Sequence, residues 1–241
     1  MIWGVLQFPG SCDERDALHA CELAAGEARL IWHESRDLDG VDAVVVPGGF
    51  SYGDYLRAGA VARFAPAMEA VAEMAAGGAP VLGICNGFQV LCEAGLLPGA
   101  LLRNAELRFR CHQVELIAEG ASSAELGGPE HPQLSSRSAF LAGIKPGERL
   151  SIPAKHGEGR YYAPDEMLDQ LEANGQIAFR YADGHNSNGS QRDIAGVTND
   201  AGNVLGLMPH PEHAVDPLTG STDGLRLFRG AAAAVGEAAP A

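Results

Sequence analysis

The stretch Ala79-Pro80-Val81-Leu82-Gly83-Ile84-Cys85-Asn86-Gly87-Phe88-Gln89-Val90-Leu91 constrains the chain more than any other. It opens as a short apolar run with a proline at its entry, the pattern of a strand buried on both faces of a parallel sheet. Cys85 follows, with Gly83 two residues before it and Gly87 two residues after. A helical pattern then places Phe88, Leu91 and Cys92 on one face. Strand, tight turn and helix form the setting of a nucleophile elbow, written here G-x-C-x-G instead of G-x-S-x-G. The glycines let a sharp turn pass close to other backbone without a Cβ clash. The helix start offers free N–H groups and a partial positive charge, both of which favour a thiolate. A lone buried cysteine is ordinarily a small core residue. The strand-turn-helix setting points instead to a nucleophile.

The flanking sequence alternates strands and helices. Strands are expected at Ile2–Phe8, Arg29–Trp32 and Val41–Val46, with a helix from an Asp13 N-cap to Ala25. A long helical stretch is expected from about Asp54 to Ala76, interrupted near Pro66. This β-α-β order implies a doubly wound, mostly parallel sheet with helices on both faces. Later strands are expected at Leu107–Ile117, Leu150–Ile152, Ile177–Tyr181, Ile194–Thr198 and Val204–Met208. Helices are expected at Pro164–Ala173 and from a Thr222-Asp223 cap to about Val235. No repeat or linker interrupts the 241 residues, so a single domain over 1–241 is expected. The polar stretch Glu119–Pro132 reads as a flexible surface loop and residues 236–241 as a frayed tail.

Charge and cysteine usage narrow the class. The formal net charge of -14 argues against nucleic acid and anionic membranes as partners, since phosphate binding needs basic patches. No signal peptide or membrane-spanning run is seen. Five cysteines without a C-x-x-C pair read as reduced thiols in a cytosol. Cys111-His112 has no second pair at zinc spacing, and no metal is expected.

A cysteine nucleophile needs a base, and the base needs an orienting group. His210 lies between Pro209 and Pro211, and a residue before proline is pushed into extended geometry. In extended backbone the side chains at i and i+2 point the same way, which places Glu212 beside His210. His19, His33, His131 and His213 have no comparable setting and read as surface histidines. Acyl transfer also needs oxyanion donors. Gly48-Gly49, at a strand end, and the N–H of Asn86 are the candidates.

Together, Gly83-Ile84-Cys85-Asn86-Gly87-Phe88-Gln89 and Pro209-His210-Pro211-Glu212 resemble the class I, triad-type glutamine amidotransferases, with a flavodoxin-like fold. Within that class the chain resembles the glutaminase subunits of phosphoribosylformylglycinamidine synthase, in purine biosynthesis. The narrowing residues are the stretches Gly48–Gly59, Ile152–Tyr161 and Asn188-Gly189-Ser190. The resemblance implies that Cys85 attacks the side-chain amide of glutamine, that His210 and Glu212 complete the triad, and that Gln89 contacts the substrate. It implies no cofactor in this chain. No phosphate-binding glycine motif occurs in it, so ATP and Mg are expected on a separate synthetase subunit, often with a small third protein. Lys155, His156 and Arg160 are expected to face that partner. Glu119–Pro132 looks like an insertion relative to the family. A glutaminase serving another synthetase, or a non-catalytic subunit that only binds a partner, are the alternatives.

Overall fold

The computed structural model describes residues 1–119 and 138–238. The first half builds β1 (Trp3–Gln7), α1 (Glu14–Ala25), β2 (Ala28–Trp32), β3 (Ala43–Val46), α2 (Pro66–Ala76), β4 (Val81–Ile84) and α3 (Asn86–Glu93). The second half adds β5 (Ala100–Leu102), β6 (Arg110–Ala118), β7 (Arg149–His156), β8 (Arg160–Tyr162) and α4 (Asp165–Ala173). It ends with β9 (Ile177–Tyr181), β10 (Ile194–Thr198), β11 (Val204–Leu207) and α5 (Leu225–Ala238).

Among the described residues a nine-stranded sheet runs β2-β1-β3-β4-β11-β10-β9-β6-β7. From β2 to β11 the neighbours are parallel, and from β11 to β7 they are antiparallel. The sheet is therefore mixed, with parallel pairing where the apolar runs are continuous. Every residue of β3, β4 and β11 is buried, as a strand covered on both faces requires. α1 turns Ala17, Ala20 and Cys21, spaced i, i+3, i+4 on one helix face, into the core. Strand order 2-1-3-4 with a further parallel strand beside it is the flavodoxin-like arrangement. It opens a crevice at the carboxyl ends of β1 and β3, where the strand order reverses.

Several expectations are corrected. The stretch from Asp54 to Ala65 is not α-helical: a kinked 3-10 turn at Ser51–Asp54 and another at Ala62–Phe64 precede α2. Tyr52, Asp54 and Leu56 all have positive φ there (53°, 54° and 70°), which a continuous helix forbids. β7 continues to His156, four residues past the expected end, because it pairs with β6 along its whole length. β5 and β8 form a separate two-stranded sheet too short to be legible from alternation. α5 extends to Ala238, and residues 239–241 lie outside the described residues, as does most of the expected Glu119–Pro132 loop. Glu119 itself is described: its N–H donates to the Ala178 carbonyl and its carboxylate pairs with Arg180.

Candidate active site

β4 ends at Ile84, and the next residue turns sharply. Cys85 has φ 50° and ψ -102°, a conformation that L-residues avoid. The glycines make the turn feasible. A Cβ on Gly83 would lie 2.5 Å from Leu91 Cδ1 and 2.8 Å from Gly87. A Cβ on Gly87 would lie 1.8 Å from the Val46 carbonyl oxygen. α3 can therefore start directly on top of the sheet only with glycine at those two places. The Cys85 N–H is tied to the Leu207 carbonyl, so the neighbouring strand fixes the turn. The thiol is 3.7 Å from the Lys155 carbonyl oxygen.

β11 delivers the second component. His210 keeps the extended backbone expected of a pre-proline residue (φ -103°, ψ 91°), and its N–H donates to the Pro153 carbonyl on β7. Glu212 is not in extended backbone but in a 3-10 turn over Pro211–His213. The turn still brings Glu212 Oε1 to 2.6 Å from His210 Nδ1. The pairing expected from the sequence is present, through a tight turn instead of i, i+2 alternation. Both side chains are almost fully buried. A carboxylate on Nδ1 assigns a proton to that nitrogen and leaves Nε2 as the candidate for proton exchange. Nε2 has no hydrogen-bond partner of ordinary geometry among the described residues, and it faces the Cys85 thiol. Burial alone would depress the His210 pKa. The negative charges of Glu212 and Cys85 outweigh it and push the pKa up to about 10.

Asn86 organises the loop opposite. Its side-chain carbonyl accepts the Ser51 N–H at 3.1 Å, and its amide donates to Gln89 Oε1 at 2.8 Å. Gln89 Nε2 in turn donates to the Glu158 carbonyl at 2.6 Å. The G-G-F-S-Y-G-D loop, the cysteine helix and the H-G-E-G-R turn are thus held by two amide side chains. The Asn86 N–H opens α3, where the helix itself supplies no acceptor. Gly49 lines the pocket with φ 139°. Gly48 sits one position deeper. Its carbonyl accepts the Cys12 and Asp13 N–H groups, and a Cβ on it would lie 2.4 Å from Asp13 Oδ2 and 2.8 Å from His210 Cε1.

Four residues belong here that the sequence placed elsewhere. Asp13 does not cap α1 with its side chain. Its carboxylate instead accepts from the Lys155 ammonium at 2.5 Å and meets the His213 Nε2 at 3.3 Å, with Oδ2 3.6 Å from His210 Nδ1. His213 is therefore not a plain surface histidine. Lys155 and His156 are not a free docking surface either: Lys155 is paired with Asp13, and His156 is 3% exposed. Asn188 Nδ2 reaches His156 Nε2 and the Gly159 carbonyl, which explains why the distant N-G-S stretch accompanies the H-G-E-G-R turn.

These elements enclose a pocket of about 250 Å³ lined by Asp13, Gly49, Asp54, Cys85, Gln89, Lys155, Glu158 and His210 among others. It is a cavity of amino-acid scale with a thiol, a base and amide groups on its walls, an arrangement suited to acyl transfer from a small amide.

The model of the CobB/CobQ-like glutamine amidotransferase domain matches residues 3–231. The chain belongs to this family. A phosphoribosylformylglycinamidine synthase subunit PurQ from Streptomyces avermitilis is 54% identical over 234 residues, covering 93% of this chain and 94% of that one. The PurQ of Mycobacterium tuberculosis is 54% identical over 233 residues, covering 96% of each. The structure of PurLQS from Thermotoga maritima superposes with a TM-score of 0.81 at 40% identity, covering 95% of this chain and 96% of that one. A glutaminase of the PurQ type, acting in phosphoribosylformylglycinamidine synthesis, is the kind of enzyme to which the chain belongs. Among the described residues no helix is long and apolar enough to cross a membrane.

Proposed function

We propose that the chain hydrolyses glutamine to glutamate and ammonia through a thioester on Cys85. The observation that carries the reading is a thiol on a strained strand-to-helix turn sharing one pocket with a buried imidazole whose Nδ1 is bonded to a carboxylate. Cys85 Sγ, its proton already held on His210 Nε2, attacks the side-chain amide carbon. His210 then protonates the amide nitrogen, which leaves as ammonia. In the second half His210 takes a proton from water, water attacks the thioester carbon, and the thiol and glutamate are released. The Gly49 and Asn86 backbone N–H groups are the donors proposed for the oxyanion, and Gln89 the residue that contacts the substrate. Gly48 supports this site from below, by leaving room for Asp13 and His210 to meet.

The ammonia is proposed to pass to a separate synthetase subunit that binds ATP and Mg, with a small third protein in the complex. The Thermotoga maritima neighbour is PurLQS, a name that joins the Q of PurQ to L and S, and this supports such an assembly. Purified chain is assayed for glutamate release with and without the synthetase, its acceptor and ATP. Glutamate and acceptor amination in equal amounts support the reading. Glutamate without amination in the complete mixture would overturn the assignment to this synthetase.

A further inference from the structure

The structure holds a second carboxylate beside the base. Asp13, in the loop after β1, lies 3.6 Å from His210 Nδ1, the same nitrogen that Glu212 engages. Asp13 is 4% exposed and is not left free to compete. Lys155 Nζ donates to its Oδ1 at 2.5 Å, and His213 Nε2 approaches the same oxygen at 3.3 Å. Two carboxylates so close to one imidazole repel each other, and the repulsion would push them apart. The Lys155 ammonium removes that conflict. Lys155 also contacts the nucleophile, through its carbonyl oxygen 3.7 Å from Cys85 Sγ, and the neighbouring Pro153 carbonyl holds the His210 N–H. One strand, β7, therefore touches the thiol, the base and Asp13, and runs directly into the His156–Arg160 turn.

The atoms of Asp13, His210, Glu212 and His213 lie within 4.8 Å of one another, a grouping compatible with a metal. Two features favour a charge network instead. The ammonium already occupies Asp13 Oδ1. The 2.6 Å contact between His210 and Glu212 is a hydrogen bond, shorter than the ~3.3 Å separation of two ligands that each lie ~2.0–2.1 Å from a tetrahedral zinc.

We propose that Asp13 is a second positioning carboxylate for His210, held in a non-competing position by the Lys155 ion pair, so that β7 sets the geometry of the base. The inference rests on the reading of His210 as the general base. Asp13 acts through His210 and does not touch the reacting amide. The network accounts for the glycine at position 48, where any side chain would separate Asp13 from His210. It also agrees with the Asp13 carboxyl being held far below its usual range: burial would raise its pKa, and His213, His210 and Lys155 overcome that.

The test uses the full chain and two substitutions whose electrostatic effects have opposite signs. The charged and titratable groups facing His210 are Glu212 and His213 in its own turn, Asp13 from the loop after β1, Cys85 above β4, and Lys155 and His156 from β7. Asp13→Asn removes a negative charge, so the His210 titration midpoint, read by NMR of its ring protons, should move down. Lys155→Met removes a positive charge and leaves Asp13 anionic, so the midpoint should move up. Glutamine turnover with the synthetase present should fall about 10- to 100-fold in each, mainly in kcat, since a small misplacement of a catalytic group has effects of that size. Asp13→Glu should recover part of the loss. Midpoints that stay put, or that move the same way in both folded variants, overturn the proposal and leave Asp13 and Lys155 as packing residues. If Asp13→Asn fails to fold, Lys155→Met alone decides by the direction of its shift. Failure of the glutaminase reading itself would look different, as an unmutated chain inactive in the complete mixture.

Discussion

His210 and Glu212 are joined by a 2.6 Å hydrogen bond inside the protein, although only one residue separates them and that residue is a proline. Pro211 starts a one-turn 3-10 helix that swings the carboxylate back under the ring. His210→Ala should therefore lower glutamine turnover by about 10²–10⁴-fold, the usual range for a general base. Glu212→Gln should cost less. The double variant should fall little below His210→Ala, because the pair acts as a unit. Steady-state kinetics in the presence of the synthetase measure all three, and fully multiplicative losses would refute a coupled pair.

Cys85 should be the one cysteine that forms an adduct with a glutamine-like electrophile, read by intact mass and peptide mapping. Burial pushes the thiols of Cys21 and Cys92 up, away from the reactive thiolate. Cys85→Ser should abolish turnover, whereas Cys21→Ser and Cys92→Ser should leave it near the starting value. Labelling of another cysteine together with an active Cys85→Ser enzyme would end the assignment.

Gly87→Ala tests the turn itself. The added methyl would sit 1.8 Å from the Val46 carbonyl oxygen, and backbone cannot yield as a side-chain tip does. A loss of about 1–3 kcal/mol in urea unfolding is expected for such overpacking, with Cys85 displaced and turnover lost. An alanine variant of unchanged stability and activity would mean that α3 does not rest on β3 as described.

His156 governs an acid limb of stability. Its imidazole is buried and its pKa is pushed down to about 3, first by burial and then by the neighbouring His210 and His112. The unfolded chain takes up that proton near the ordinary histidine value of ~6.5. Between there and about pH 3 the unfolded state binds more protons at this site, so stability falls as pH falls. The contribution is on the order of a few kcal/mol at most. Chemical denaturation of His156→Gln should show a flatter dependence from about pH 6.5 downward than the parent chain. Identical slopes would place the acid sensitivity elsewhere.

Arg160 stands at the start of β8, just past the His156–Glu158 wall of the pocket. A synthetase docked there could adjust β7 and with it the base. Turnover of glutamine should rise strongly when the synthetase, its acceptor and ATP are added, and Arg160→Ala should weaken the rise without changing the residual activity of the free chain. Equal turnover with and without the synthetase would make the chain an independent glutaminase.

The sequence by itself determined the local chemistry. A continuous apolar run followed by G-x-C-x-G leaves few choices but strand, strained turn and helix, and P-H-P-E confines a histidine and an acid within one turn of backbone. Those are short-range constraints, carried by Cβ clashes and proline geometry. What lay beyond local reach was decided by the tertiary structure. Asp13 read as an N-cap because helix starts favour aspartate, yet its carboxylate does better against the Lys155 ammonium 142 residues away. His213 looked solvated because nothing near it in sequence is basic or apolar in a telling pattern; Asp13 reaches it across 200 positions. The 54–65 stretch read as helical from composition, but the Ser51 N–H is claimed by Asn86, and positive φ at Tyr52, Asp54 and Leu56 follows the loop over the pocket. A buried charge must find an opposite charge wherever the fold offers one, and side-chain spacing along a chain carries no record of which distant residue that will be.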